Sequence, residues 1–148
     1  MSSLKLWRYL KFITDKRRID MKQTKLDLII EQGDNNLWGR VMYNDNLLSD
    51  FGVSVAELEE KIKVLLLDFE GVDPEVVKFE HAYDVYALFV QFDYLKISKV
   101  AERAGMNPGL LRQYASGVKH PSVSQAKRIE TVLHELADEL KRAWVFAE

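Results

Sequence analysis

The chain has 148 residues, 47% of them apolar and 30% charged, with a net charge of −2. The absence of cysteine excludes a disulfide framework and any thiolate metal site, and it fits the reducing conditions of the expected location, the cytoplasm. No apolar run reaches the ~18 residues that a membrane-spanning helix needs, so no membrane partner is expected, and the length allows one ordinary domain or two small ones.

Residues 1–20 carry a charge balance of +4. Their apolar positions are interrupted by Lys5, Arg8 and Lys11, and no small-residue cleavage site follows, which argues against a secretory signal. Met21 reads as a fresh start, so residues 1–20 are expected to be a flexible extension or to lie upstream of the true start; a basic arm touching DNA is the sharper alternative. From Lys25 the pattern turns to strand, with Leu26, Leu28 and Ile30 alternating with Asp27, Ile29 and Glu31. The turn residues Gly33, Asp34, Asn35 and Asn36 precede a second strand over 37–43, which predicts a hairpin. A short third strand is expected around 46–50. Ser54 and Glu57 form a capping box that opens a helix with the apolar stripe Leu58, Ile62, Leu65, Leu66 and Phe69. Gly71 and Pro74 end that helix, and residues 75–81 alternate as another strand. The order βββαβ predicts an α+β domain over 21–82. Residues 21–94 have a balance of −9.

Beyond this point the pattern is helical. Asp84 is placed to cap a helix with Val85, Leu88, Phe89 and Phe92 on one face. Ser98 is read as the start of a second helix and Asn107 as the cap of a third, with Pro108 in its first turn. Within SKVAERAGMNPGLLRQYASG (98–117), Ala101 is small where two helices must cross. Gly105 can take the positive φ of a tight interhelical turn, Leu111 is an apolar plug, and Gly117 is a left-handed stop. These spacings predict a helix-turn-helix. Leu110, Leu111 and Tyr114 should face inward, while Pro108, Gly109, Arg112, Gln113 and Ser116 share the opposite face. Arg and Gln can read base edges, Arg bidentate to guanine and Gln to adenine. Lys119, with Ser98 and Lys99 at the second helix, would sit where phosphates pass. Residues 95–128 hold Lys96, Lys99, Arg103, Arg112, Lys119, Lys127 and Arg128 against Glu102 alone, a balance of +6. A basic island in an acidic protein is an electrostatic footprint for phosphate. Ser122 and Gln125 form another capping box, and a last helix runs through Ala126, Ile129, Leu133, Leu136 and Leu140 towards Trp144. Trp144, Val145 and Phe146 are apolar beyond what one small bundle needs, which predicts a homodimer or higher assembly. No flexible linker lies near 82–84, so the two halves are expected to pack together.

Residues 84–137 resemble the phage-repressor/Cro-like (XRE-type) helix-turn-helix family. The carrying segments are SKVAERAGMNPGLLRQYASG and the following VKHPSVSQAKRIETVL. By motif position the resemblance implies that Pro108, Gly109, Arg112 and Gln113 fall at base contacts and that Ser116 and Lys119 fall at backbone contacts on double-stranded operator DNA. Gly109 departs from the polar residue usual near the helix start, which costs about 1 kcal/mol of helix stability and leaves direct readout to Arg112 and Gln113. Residues 24–81 look like the HicB-type antitoxin domain, a reduced RNase H-like fold, on the hairpin LDLIIEQGDNNLWGRVM and the following FGVSVAELEEKIKVLLLDF. HicB antitoxins often place a repressor-type helix-turn-helix after this domain. The resemblance implies an antitoxin that binds and inhibits a small, basic HicA-type toxin that cleaves mRNA, and that represses the shared operon from a helix-turn-helix domain over 83–148.

No catalytic, metal-ligating or cofactor-binding residue is assigned. Asp27, Asp34 and Asp45 fall on or beside the hairpin with turn and solvent roles available. His81, His120 and His134 lack ligand spacing. No phosphate-cradling glycine loop is present, and the serines sit at caps rather than beside a base. Two other readings stand beside the antitoxin: a free-standing helix-turn-helix regulator whose N-terminal half binds a ligand or dimerises, and a scaffold whose helical bundle binds protein. Weak, salt-insensitive DNA binding would favour the scaffold.

Overall fold

Period-two alternation puts Leu28 and Ile30 of β1 (Thr24–Gln32) fully inside, while Asp27 on the same strand is exposed. The computed structural model describes residues 3–8, 10, 11 and 22–148. Residues 16–18 and Met21, which carry the basic-arm and fresh-start readings, lie outside the described residues. The described part of the extension is helical and exposed, with the Lys11 ammonium 5.1 Å from the centre of the Trp7 ring.

β2 (Leu37–Tyr43) pairs antiparallel with β1 through a turn in which the Gly33 amide donates to the Asn36 carbonyl at 2.8 Å. β3 (Asn46–Gly52) pairs antiparallel with β2. The β2–β3 turn is made by Asn44 and Asp45, with φ of 47° and 63°. Both lie in the left-handed region that Asn and Asp tolerate and that a two-residue hairpin requires. α1 (Val55–Glu70) starts at Ser54, whose hydroxyl accepts from the Glu57 amide. The expected capping box is displaced by one residue, because the Glu57 carboxylate accepts from the Val53 amide at 2.8 Å rather than from Ser54.

Leu58, Ile62 and Leu66 of α1 are fully buried against the sheet, and Leu65 is packed beside them. Phe69, expected on this stripe, is 71% exposed: it lies on the last turn, beyond the apolar surface that the strands offer. The strand expected over 75–81 divides into a short 3₁₀ turn (Pro74–Val76) and β4 (Val77–Tyr83). Pro74, with no amide hydrogen to give a ladder, suits the turn. β4 runs parallel to β1, so the mixed four-stranded sheet has the order β3-β2-β1-β4. α1 covers one face. Trp38, Met42, Leu47 and Phe51 stand on the other, where Trp38 pairs with Phe51 and Met42 with Leu47 across the strands.

Four helices follow: α2 (Val85–Gln91), α3 (Ile97–Arg103), α4 (Pro108–Ala115) and α5 (Val123–Arg142). α2 joins the two halves. The Asp84 amide continues the ladder by donating to the Ile30 carbonyl, and its carboxylate caps Ala87 at 2.6 Å. Ala87 belongs to the sheet core, whereas Val85 and Phe89 belong to the helical core with Val100, Ala101, Leu111 and Ile129. The boundary expected at 82/83 therefore falls before the last residue of β4, and a cut there would remove Ala87 from the first core. On α5 the buried residues are Ile129 and Val132. Leu133 and Leu136 are partly covered, while Ala126 and Leu140, expected on the stripe, are exposed. Among the described residues no helix is long and apolar enough to cross a membrane.

Candidate nucleic-acid interface

The α3–α4 connection is built from backbone hydrogen bonds that its sequence permits. α3 begins at Ile97, one residue before the expected Ser98, after Lys96, which makes no side-chain cap. It ends in a paired closure: the Gly105 amide donates to Glu102 at 3.1 Å and the Met106 amide to Ala101 at 2.9 Å, with Gly105 at φ 60°. This is the Schellman arrangement, which satisfies carbonyls that a helix end would otherwise leave open. Asn107 then starts α4, its side-chain oxygen accepting from the Gly109 and Leu110 amides at 2.8 and 3.3 Å. α4 closes in the same way, with the amides of Gly117 and Val118 donating to Tyr114 and Gln113. Gly117 has φ 74°, and a Cβ there would lie 2.8 Å from the Tyr86 ring.

The inward face of α4 is seated by Leu111 and Tyr114, 0% and 5% exposed. Leu110 is partly buried beside them. The Tyr114 hydroxyl donates to Gln125 Oε1 at 2.7 Å, and the same oxygen accepts from the Ser122 amide at 3.1 Å. One side chain thus caps α5 and ties it to α4. Tyr114→Phe is expected to lower stability by about 0.5–1.5 kcal/mol, read by urea denaturation. Unchanged stability would show that this bond is worth no more than the water it replaces.

The outward face is uneven. Arg112, Gln113 and Ser116 are exposed, whereas Pro108 and Gly109 are half-buried. The Gly109 amide is already held by Asn107, so neither Pro108 nor Gly109 offers a donor to a base. The Ser116 hydroxyl donates to the Gln113 carbonyl at 3.3 Å. Arg112, Lys119 and the Gln113 side-chain amide have no hydrogen bond or ion pair among the described residues.

The basic island is partly neutralised within the chain. Lys99 pairs with Glu102 at 2.9 Å, Lys127 with Glu130 at 3.0 Å, and Arg103 grips Glu139 with bonds of 2.7 and 3.0 Å. Arg128 donates to the Gly105 carbonyl at 2.8 Å, bracing the α3–α4 turn from α5. Of the residues expected at phosphates, Lys119 is open, Lys99 is shared with Glu102, and Ser98 is half-buried. Lys96, Arg112 and Lys119 are the island's cations with no partner among the described residues. Sequence reasoning missed Arg103–Glu139 and Arg128–Gly105, because both join residues far apart in the chain. Gln125 was legible as a cap, though not as the partner of Tyr114.

These pairs set a pH dependence. Hydrogen bonds from Arg103 hold the Glu139 carboxyl below its ordinary range; Lys99 does the same for Glu102, and Lys127 for Glu130. A carboxyl depressed in the folded state stabilises above its unfolded pKa and loses that contribution as pH falls through the folded value. Melting temperature should therefore fall on acidification through the carboxylate range, and Glu139→Gln should flatten part of that fall. The effect is small because the groups are solvent-exposed. Identical pH profiles for the two proteins would show that the Arg103–Glu139 pair adds nothing.

Among the described residues no cluster of three or more His, Asp or Glu could hold a metal ion. His81 lies 2.6 Å from Glu59. Comparison with protein-family models, curated proteins and solved structures gives no match.

Proposed function

We propose that the chain is a DNA-binding antitoxin: its α3–α4 pair docks as a helix-turn-helix of the XRE type on operator DNA, and its HicB-like sheet half holds a small basic toxin. The observation that carries the DNA reading is the two-sidedness of α4. Leu111 and Tyr114 anchor one side, and the side chains of Arg112 and Gln113 stand exposed on the other with no partner among the described residues. Arg112 offers a bidentate fork to guanine and Gln113 an amide to adenine. Lys119, just past the helix, supplies a phosphate contact. Pro108 and Gly109 contribute close approach without hydrogen bonds, so readout rests on the two side chains that follow.

The toxin reading is supported by the acidic balance of residues 21–94 and by the sheet face bearing Trp38, Met42, Leu47 and Phe51. An acidic surface speeds encounter with a basic protein, and buried aromatic contacts hold it.

The test begins with duplexes selected by the protein from a random pool. Arg112→Ala should weaken binding to the selected duplex by about 1–3 kcal/mol and relax its sequence preference; Lys119→Ala should weaken all duplexes alike and reduce the salt slope by about 1. Equal affinity of Arg112→Ala and the parent for the selected duplex would overturn the assignment of α4. A chain carrying both substitutions should still capture the small basic product of the adjacent gene. Loss of that capture would place the toxin contact on the helical half instead.

A further inference from the structure

α1 covers one face of the sheet, and the other face lies open. Three rows cross it: Phe51 beside Trp38, Ser49 beside Arg40 and Ile29, and Leu47 beside Met42. The outer two rows are apolar, and their four side chains are 46–58% exposed. On this side the domain lacks the second layer that would bury them.

At the start of the chain stands a helix without a core. Residues 3–8, 10 and 11 are helical. Leu4, Trp7 and Leu10 recur at every third position, with Leu6 one turn before Leu10, while Lys5 and Arg8 fall on the opposite side. Leu4, Leu6 and Trp7 belong to neither core, and Trp7 is 59% exposed. So short a helix does not persist in water without a surface to lie on.

Charge and connection select this helix for that face. Residues 1–20 have a balance of +4 and residues 21–94 of −9. Asp27, two residues before Ile29 on β1, and Asp45, in the turn between Met42 and Leu47, are exposed acids with no partner among the described residues. Two copies of the face would set acid against acid, and the segment after α5 carries Glu148 as its only charge. Neither offers the cations of the first helix. Residues 12–23 join that helix to β1. At about 3.3 Å per residue they can reach any part of the face, and a short tether holds its end at an effective concentration in the millimolar range.

We infer that the N-terminal helix folds over the open face of the sheet, setting Leu6 and Trp7 against Trp38, Met42, Leu47 and Phe51 as an internal cover. The cover is apolar and basic, as is the toxin proposed above for the same face, so the two compete for it. That competition rests on the toxin reading. The docking does not, and its test contains no toxin.

Because the chain has no cysteine, introduced thiols report the contact cleanly. In Leu6→Cys with Ser49→Cys, the second in the middle row of the open face, a glutathione buffer should close a disulfide within one copy. Leu6→Cys with Val64→Cys, exposed on the far side of α1, has the same tether and should close about tenfold less readily. A second readout uses a chain left with Trp38 alone by Trp7→Phe and Trp144→Phe. There, Leu6→Asp with Leu10→Asp should raise acrylamide quenching of Trp38 and move its emission to longer wavelength. Neither leucine belongs to a core, so the variant should keep its circular dichroism in the strand and α1 region. Equal closure of the two thiol pairs overturns the inference. So does a disulfide formed between copies in place of one within a copy, or a Trp38 whose quenching is indifferent to the two aspartates.

Discussion

Leu111→Ala is expected to lower the stability of the chain by about 2–5 kcal/mol, the range for removing a fully buried leucine whose site cannot collapse. Leu111 is 0% exposed and packs in one cluster with Val100, Ala101 and Ile129. It comes from a helix of eight residues, too short to persist without tertiary packing. The loss should appear in urea denaturation as a lower midpoint with an unchanged slope. DNA affinity should fall with it, because α4 loses the seat that aims Arg112 and Gln113. Leu110→Ala, at the partly buried neighbour, should cost clearly less. A Leu111→Ala variant within about 0.5 kcal/mol of the parent, the range of ordinary surface changes, would show that position 111 is no plug.

Gly117→Ala should be nearly as damaging, for a different reason. A residue with a Cβ in the left-handed region is disfavoured by about 1–2 kcal/mol, and the Cβ at 117 would come within 2.8 Å of the Tyr86 ring. Strain and overlap together should reach about 2–3 kcal/mol. The two parts separate in a double-mutant cycle. Tyr86→Leu removes the ring and should recover the overlap but not the strain, so the paired substitutions should be less than additive. Strict additivity would mean that Tyr86 moves aside at no cost and that strain alone forbids a side chain there.

These two positions were legible in the sequence because a plug and a helix stop are read from spacing within one segment. The same holds for Asp84, Asn107 and Ser122, whose capping bonds span two or three residues. The alternation in β1 and β2 declared which faces are buried. The β2–β3 turn was harder to read, since Asn44 and Asp45 take positive φ without a glycine to announce it. The place of β4 beside β1 was not legible: a parallel neighbour is chosen by the whole layer, not by a local turn. Phe69 was misplaced because a helical period marks a face and says nothing of how far the partner surface extends. At the candidate interface, sequence indicated a balance of +6. Three of those cations turned out to be shared with Glu102, Glu130 and Glu139, and two of these carboxylates, Glu130 and Glu139, lie outside the basic island altogether. Charge counted along a chain therefore overstates the charge offered to a ligand.

The central claim is that α4 and the cations around it bind duplex DNA, and the salt dependence of that binding tests it most directly. The full chain should be titrated onto a selected duplex over a range of salt concentrations. With Lys96 and Lys119 left without a partner among the described residues of each copy, and Arg112 committed to a base, the logarithm of the association constant should fall against the logarithm of salt with a slope of about −2 per copy bound, near −0.9 for each phosphate neutralised. Lys119→Ala should remove about one of those units. Binding that is weak and indifferent to salt, or a slope unchanged in Lys119→Ala, would contradict the account.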